Sequence, residues 1–224
     1  MTDLPRMTIA ILGGSGKEGS GLALRWADAG HEVVIGSRDA ARAQEAADAI
    51  NAAIGRQAAR GADNLAAAQA GDIVVLAVPY AAQQNTVEAV REALSGKILI
   101  DVTVPLAPPR VAEVQLPETD SAVVAVQRML GEEVKVVSAF QNISAHHLKE
   151  LGQEVDCDVL VCADDKAAGE TVVALAREIG LGAFYAGKLC NSVVAEALTS
   201  VLIALNKAYK VPAAGIRLTG IPRE

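Results

Sequence analysis

The residues able to do chemistry gather first between Gly13 and Arg42. Gly13-Gly-Ser-Gly-Lys-Glu-Gly19 holds a G-x-G-x-x-G pattern at Gly14, Gly16 and Gly19, with Ser15, Lys17 and Glu18 between them. Glycines at this spacing allow a tight strand-to-helix turn, a close approach of backbone to a diphosphate, and close packing of helix on strand. The amides that open the following helix then face the anion, helped by the positive end of the helix dipole. Further on, Gly36-Ser-Arg38 closes a second apolar run, and Arg42 follows one helical turn later. An NAD site usually carries Asp or Glu there, for the ribose 2′-hydroxyl. Ser37, Arg38 and Arg42 instead suit a 2′-phosphate, so the pattern predicts NADP(H) over NAD(H). Each charge-assisted contact is worth roughly 1.5–3 kcal/mol, so two arginines would discriminate by about 10² or more.

These groups need a frame, and the flanking pattern supplies it. Thr8 to Leu12 reads as a strand, Gly21 to Ala29 as a helix, and His31 to Ile35 as the second strand. Helix is expected from Asp39 to Ile54, a short strand over 57–60, and a helix over 63–70 with Asp63 as N-cap. The unbroken apolar run 72–78 suits a strand covered on both faces. A helix over 81–94 and a strand over 97–101 follow, then a proline-rich loop, 102–119, at the carboxyl end of the sheet. Beyond it the pattern predicts a helix over 121–130 and strand 134–138, then a helix over 144–151 and strand 158–162. A helix over 166–179, strand 182–185 and a long apolar helix from Asn191 to Lys210 complete the chain.

Such alternation is expected to build a Rossmann-type, doubly wound α/β fold: a mainly parallel sheet with right-handed crossovers. A dinucleotide domain over 1–138 and a smaller α/β and helical extension over 139–224 are expected. In this fold ligands lie beyond the carboxyl ends of the strands. That places Gly14 to Gly19, Val78, Pro79, Tyr80, Thr103 and the segment Ala139 to Ser144 around one crevice.

The wider composition narrows the options. The chain has 224 residues, 51% of them hydrophobic, enough for a packed core. A net charge of −7 and 3% aromatic content argue against a nucleic-acid surface. No uninterrupted apolar run reaches the ~18 residues of a span, and no basic-then-apolar leader opens the chain. A cytoplasmic protein without a membrane partner is expected. Three cysteines, Cys157, Cys162 and Cys190, read as reduced thiols, and their spacing fits no metal site. No metal-binding motif is seen. His31 reads as structural, which leaves His146 and His147 as the only histidine candidates for proton transfer. A carbonyl reductase would want a clear proton donor. Its absence favours hydride transfer to a flavin-like ring, where positioning carries the catalysis and no catalytic residue can be named with certainty.

The sequence resembles the NADPH-dependent coenzyme F420 reductases (F420H2:NADP oxidoreductases) and the related ferric-reductase oxidoreductase domains. The resemblance runs from Thr8 to Ile216. It rests on Ile11 to Gly19, Gly30 to Arg38, Val137-Ser-Ala-Phe-Gln-Asn-Ile-Ser144, Val161-Cys-Ala-Asp-Asp165, Gly187 to Ser192, Glu196, Leu198, Thr199 and Asn206. It implies hydride transfer between NADPH and the deazaflavin coenzyme F420. It also implies an acceptor site at Gln141, Asn142, Ile143, Asn191 and Ser192, with Pro79 at the nicotinamide, and a homodimer or higher homo-oligomer. Gln141-Asn142 departs from the archaeal pattern. That keeps open a reductase of another acceptor (a flavin, a ferric chelate or a small imine-like substrate) and a non-catalytic NADP sensor. Arg38→Glu should weaken NADPH binding far more than NADH binding in calorimetry; equal losses would refute the 2′-phosphate assignment.

Overall fold

The computed structural model describes residues 4–153 and 155–222. Eight strands are β1 (Thr8–Leu12), β2 (Glu32–Ser37), β3 (Ala59–Asp63), β4 (Ile73–Leu76), β5 (Ile98–Asp101), β6 (Lys135–Ser138), β7 (Val155–Ala163) and β8 (Leu181–Tyr185). They form one sheet in the order β3-β2-β1-β4-β5-β6-β7-β8. The chain winds outward from β1 in one direction and from β4 in the other, so the strand order reverses between β1 and β4. That reversal is where such a sheet opens a ligand crevice.

Alternate residues of the strands face opposite layers. Ile9 and Ile11 pack with Leu22 and Trp26 of α1 (Lys17–Ala29), Ala43 and Ala47 of α2 (Ala40–Ile54), and Val172 and Leu175 of the helix Lys166–Glu178. Ala10 and Leu12 face the other way, toward α3 (Asn64–Ala70), α4 (Gln83–Val90) and α5 (Ala122–Leu130). The remaining helices are α6 (Ala145–Leu148), α7 (Lys166–Glu178) and α8 (Ser192–Tyr209). Asp63 caps α3 by accepting from Ala66 N, as its position implies. The proline-rich stretch after β5 holds neither helix nor strand until α5.

The sheet is not parallel throughout. Strand β7 pairs with β6 antiparallel, through Ser138↔Cys162, and β8 then runs parallel to β7. The expected helix over 144–151 is only the single turn Ala145–Leu148, which rises about 6 Å. A parallel return usually carries a full helix in its crossover. Here the segment makes the Phe140 corner and one helical turn, and β7 returns antiparallel.

Strand β6 ends at a sharp corner. Phe140 takes a left-handed φ of 73° and is fully buried. Its ring meets Trp26 edge to face at 5.7 Å between centroids, and Trp26 Nε1 donates to Leu175 O at 3.1 Å. This contact locks the corner that presents Gln141 to Ile143. A non-glycine residue accepts such a conformation only when its surroundings hold it there.

Helix α8 differs from the sequence reading in another respect. Despite its polar interruptions, Leu189–Tyr209 is long and apolar enough to cross a membrane by length and composition, with a mean hydropathy of 1.5. One face docks on the fold through Ala195, Glu196, Ser200 and Leu202. The opposite face exposes Val194, Val201, Leu205 and Tyr209. Phe140→Ala should cost about 3–5 kcal/mol, as a large buried ring lost from a packed corner does. Urea denaturation checks this; a loss below about 1 kcal/mol would show that the corner is held by other contacts.

Candidate functional site

The glycine turn is packed too closely for side chains. Gly13 takes φ +76°, and a Cβ there would lie 2.6 Å from Ala77 O. A Cβ on Gly14 would come within 2.8 Å of Ile11 O, and one on Gly19 within 2.8 Å of Gly14 Cα. Gly13 N donates to Gly36 O at 2.9 Å, which ties the turn to the end of β2. The left-handed turn residue is therefore Gly13, one position ahead of the motif. The Gly13-Gly14 doublet is the sequence signal for it.

Helix α1 starts without a cap. Gly16 occupies the N-cap and offers no side chain. Elsewhere Asp39, Asp63, Ser121, Ser144 and Asp165 each accept an amide at the start of α2, α3, α5, α6 and α7, while α4 and α8, also without a side-chain cap, continue from 3-10 turns. The first amides of α1 are thus left to another acceptor, and the dipole favours a negative one. It begins at Lys17, four residues before the expected start, so these amides lie inside the motif.

At the end of β2, Ser37 Oγ accepts from Asp39 N at 3.2 Å. Asp39 is a carboxylate near the arginines, but Ala41 N and Arg42 N engage it as the α2 cap. Arg38 and Arg42 are exposed, and neither is in an ion pair among the described residues. Asn64 Oδ1, buried beside Gly36, has no hydrogen-bond partner.

The other wall lies at the ends of β4, β5 and β6. Pro79 is exposed and Val78 half-buried beside Gly13. Thr103 is buried and donates its amide to Asp101 Oδ1 at 2.9 Å. Gln83 Nε2 donates to Asp101 Oδ2 at 2.7 Å. Burial pushes the Asp101 carboxyl above its usual range, against the pull of the bonds from Thr103 and Gln83. Gln141 Nε2 donates to Asp101 O and Asn142 Nδ2 to Asp158 O, each at 2.7 Å. These amides tie the β6 corner to β5 and β7, while Ile143 is buried against the α1 layer. Gln141 Oε1, Asn142 Oδ1, Thr103 Oγ1 and Glu18 Oε1 are buried without a hydrogen-bond partner. Natural proteins rarely leave such atoms unpaired unless a ligand, water or function accounts for them. They sit on residues the sequence had assigned to this crevice. The residues present therefore fit an anionic dinucleotide with a polar, flat acceptor beside it.

Asn191 is exposed and donates to Ala186 O at 2.8 Å. Ser192 lies inside, with its hydroxyl 2.7 Å from Ser121 Oγ. Glu196, unassigned to any contact by the sequence, organises this region. Ser121 Oγ donates to it at 2.6 Å and Ala122 N at 2.8 Å, with Val123 N at 3.3 Å. A carboxylate from α8 thus fastens the start of α5, a favourable place for negative charge. Thr199 Oγ1 donates to Gln141 O at 2.7 Å, so the same helix also holds the β6 corner.

The histidines stand apart from the crevice floor. His31 is buried, accepts from Met7 N and meets Glu178 at 2.8 Å, a structural role. His146 is exposed beside Glu150, and His147 lies 3.4 Å from Ala213 O. Cys157 and Cys162 are buried thiols and Cys190 an exposed one, with no disulfide. Among the described residues no cluster of His, Cys, Asp and Glu could hold a metal.

The doubly wound sheet and its glycine turn define a Rossmann-type dinucleotide oxidoreductase. Residues 8–105 match the family described as NADP oxidoreductase, coenzyme F420-dependent. The chain is 42% identical over 225 residues to the F420-dependent NADP reductase of Methanothermobacter thermautotrophicus, covering 97% of each protein. It is 40% identical over 223 residues to that of Methanocaldococcus jannaschii, covering 96% of this chain and 99% of the relative. A solved structure of a protein from Arthrobacter sp. FB24, described as an F420-dependent NADP-reductase, superposes with a TM-score of 0.79 at 28% identity, over 95% of this chain and 99% of the other. The chain belongs to the F420-dependent NADP reductase family.

Glu196→Ala would leave the amides of Ala122 and Val123 buried without their charged acceptor, at a cost of about 3 kcal/mol. Burial holds the Glu196 carboxyl above its usual range, although the bonds from Ser121, Ala122 and Val123 pull it back. The folded chain therefore keeps this proton in a range where the unfolded chain has lost it. Unfolding free energy should fall as pH rises through that range, and Glu196→Gln should flatten the dependence in urea titrations run at several pH values.

Proposed function

We propose that this enzyme transfers a hydride between NADP(H) and coenzyme F420. The observation that carries the reading is the uncapped start of α1 inside a glycine turn, in a chain similar to named F420-dependent NADP reductases over nearly its whole length. The nicotinamide supplies the hydride and the deazaflavin ring takes it, or the reverse. The chain's own work is to bind, align and exclude water.

In this reading the backbone amides from Gly14 to Gly19, with Ser15, Lys17 and Glu18 among them, hold the diphosphate. Ser37, Arg38 and Arg42 take the 2′-phosphate, for which the uncommitted guanidinium groups are the support. Val78, Pro79 and Thr103 line the nicotinamide. Gln141, Asn142 and Ile143 form the acceptor side, with Asn191 and Ser192 closing it. Residues 1–138 carry the nucleotide and 139–224 complete the crevice. The Ser121–Glu196 bond supports that reading, since through it the second part grips the first.

We also infer a homodimer in the cytoplasm. Val194, Val201, Leu205 and Tyr209 recur along one face of α8 at spacings of seven, four and four residues, an apolar stripe suited to a second copy. The docked face with its buried Glu196 favours a packed helix over a span. Free thiols at Cys157, Cys162 and Cys190 suit a reducing compartment.

Mixing the purified protein with NADPH and oxidised F420 should bleach the visible absorbance of the deazaflavin in step with loss of NADPH. If NADPH is consumed only with a flavin, ferric chelate or imine, the acceptor assignment is wrong. If no acceptor reacts while NADPH binds, the protein is a sensor.

A further inference from the structure

Glu18 is the unexpected group in the anion cradle. It occupies the first turn of α1, where amides and a helix dipole await negative charge, yet it carries a carboxyl of its own. The residue retains some exposure, but Oε1 is enclosed and has no hydrogen-bond partner. No cation is recorded against it. Burial alone pushes its pKa up to about 8. Near pH 7 the group is therefore a neutral acid, with one O–H to donate and one C=O to accept.

Its direction follows from helical spacing. Glu18, Gly21, Leu22 and Arg25 share one face of α1. That face is turned to the segment after β6: a Cβ on Gly21 would lie 2.6 Å from Leu148 Cβ, and Arg25 donates to Leu148 O, His147 O and Glu150 O. Glu18 stands one turn nearer the crevice on the same face. The adenosine end, at Ser37 to Arg42, lies beyond β2 on the other side of the turn. Glu18 thus serves the nicotinamide half of the nucleotide.

Among the groups of that half, one matches a neutral acid on both atoms. A carboxamide presents an N–H and a C=O side by side, as a carboxylic acid presents an O–H and a C=O. The two can pair through two reciprocal hydrogen bonds. The diphosphate, by contrast, offers acceptors and charge only. We propose that Glu18, through its enclosed and unpartnered Oε1, hydrogen-bonds the nicotinamide carboxamide of NADP(H) and so fixes the orientation of the reacting ring. This rests on the dinucleotide reading of the glycine turn.

The consequence is a proton linked to one half of the ligand. Other charged groups lie on the elements packed around Glu18. On α1 itself they are Lys17, Arg25 and Asp28. On α6 and its following turn they are His146, His147, Lys149 and Glu150, and on α2 Arg42, Glu45 and Asp48. Strands β1 and β4 bring none, and β2 brings only Glu32, at its far end from the crevice. Arg25 is committed to backbone carbonyls and His146 to Glu150.

Calorimetry with three ligands tests the proposal: NADP+, its 3-acetylpyridine analogue, in which a methyl ketone replaces the amide, and 2′,5′-ADP, which lacks the nicotinamide. For the wild type, affinity for NADP+ should fall about tenfold per pH unit above the Glu18 pKa, because only the protonated form binds well. Over the same range 2′,5′-ADP binding should stay flat. The wild type should prefer NADP+ to the acetylpyridine analogue. Glu18→Leu should erase that preference, whereas Glu18→Gln should keep it and lose the alkaline fall. The proposal is overturned if Glu18→Leu keeps the preference, or if 2′,5′-ADP shows the same pH dependence as NADP+. Failure of 2′,5′-ADP to bind any of the three proteins would instead overturn the dinucleotide reading itself.

Discussion

Everything in this molecule depends on the junction of β1 and α1 remaining free of side chains. Gly13, Gly14 and Gly19 let the turn touch Ala77, Ile11 and its own backbone at distances no Cβ would tolerate. Gly16 then leaves the helix start without a cap. Amides at an uncapped helix start need an acceptor, and with Gly16 and Lys17 exposed that acceptor is water until an anion takes its place. Here that deficit faces the crevice between β1 and β4. The strain and the missing cap are thus one constraint, and it defines the chemical class of ligand the fold can take.

A second set of interactions keeps the wall at the ends of β4, β5 and β6 against that turn. It is made of single polar residues reaching across long stretches of chain. Arg25 of α1 feeds the carbonyls of Leu148, His147, Glu150 and Ile179. Glu196 of α8 fastens α5, and Thr199 holds the β6 corner. The C-terminal segment adds Asn206 Oδ1 accepting from Ala214 N, and Asp158 N donating to Ile216 O. Buried polar groups of this kind are costly when half satisfied. Hydride transfer demands the opposite of a loose crevice, since alignment is most of what the protein contributes.

Much of this was legible in the residues because the signals are local. The glycine spacing, the apolar run at β4 and the cap Asp63 act over a few positions, and each lies where its chemistry implies. The direction of β7 was not legible. Strand periodicity is the same whichever way the strand runs, and the residues over 144–151 do not reveal that only one helical turn forms there. Asn191 and Ser192 illustrate the same limit. Their place in the chain says nothing of which one turns inward, and the structure buries Ser192 while exposing Asn191. Glu18 was grouped with its turn, because a carboxylate in sequence carries no mark of its burial.

The most direct test of the central claim is amide hydrogen exchange at Lys17, Glu18 and Gly19, with and without NADP+. Their amides should exchange freely in the unliganded protein and become strongly protected when the nucleotide binds, while the capped start of α3 stays unchanged. Saturating nucleotide with no added protection at these three positions would contradict the account.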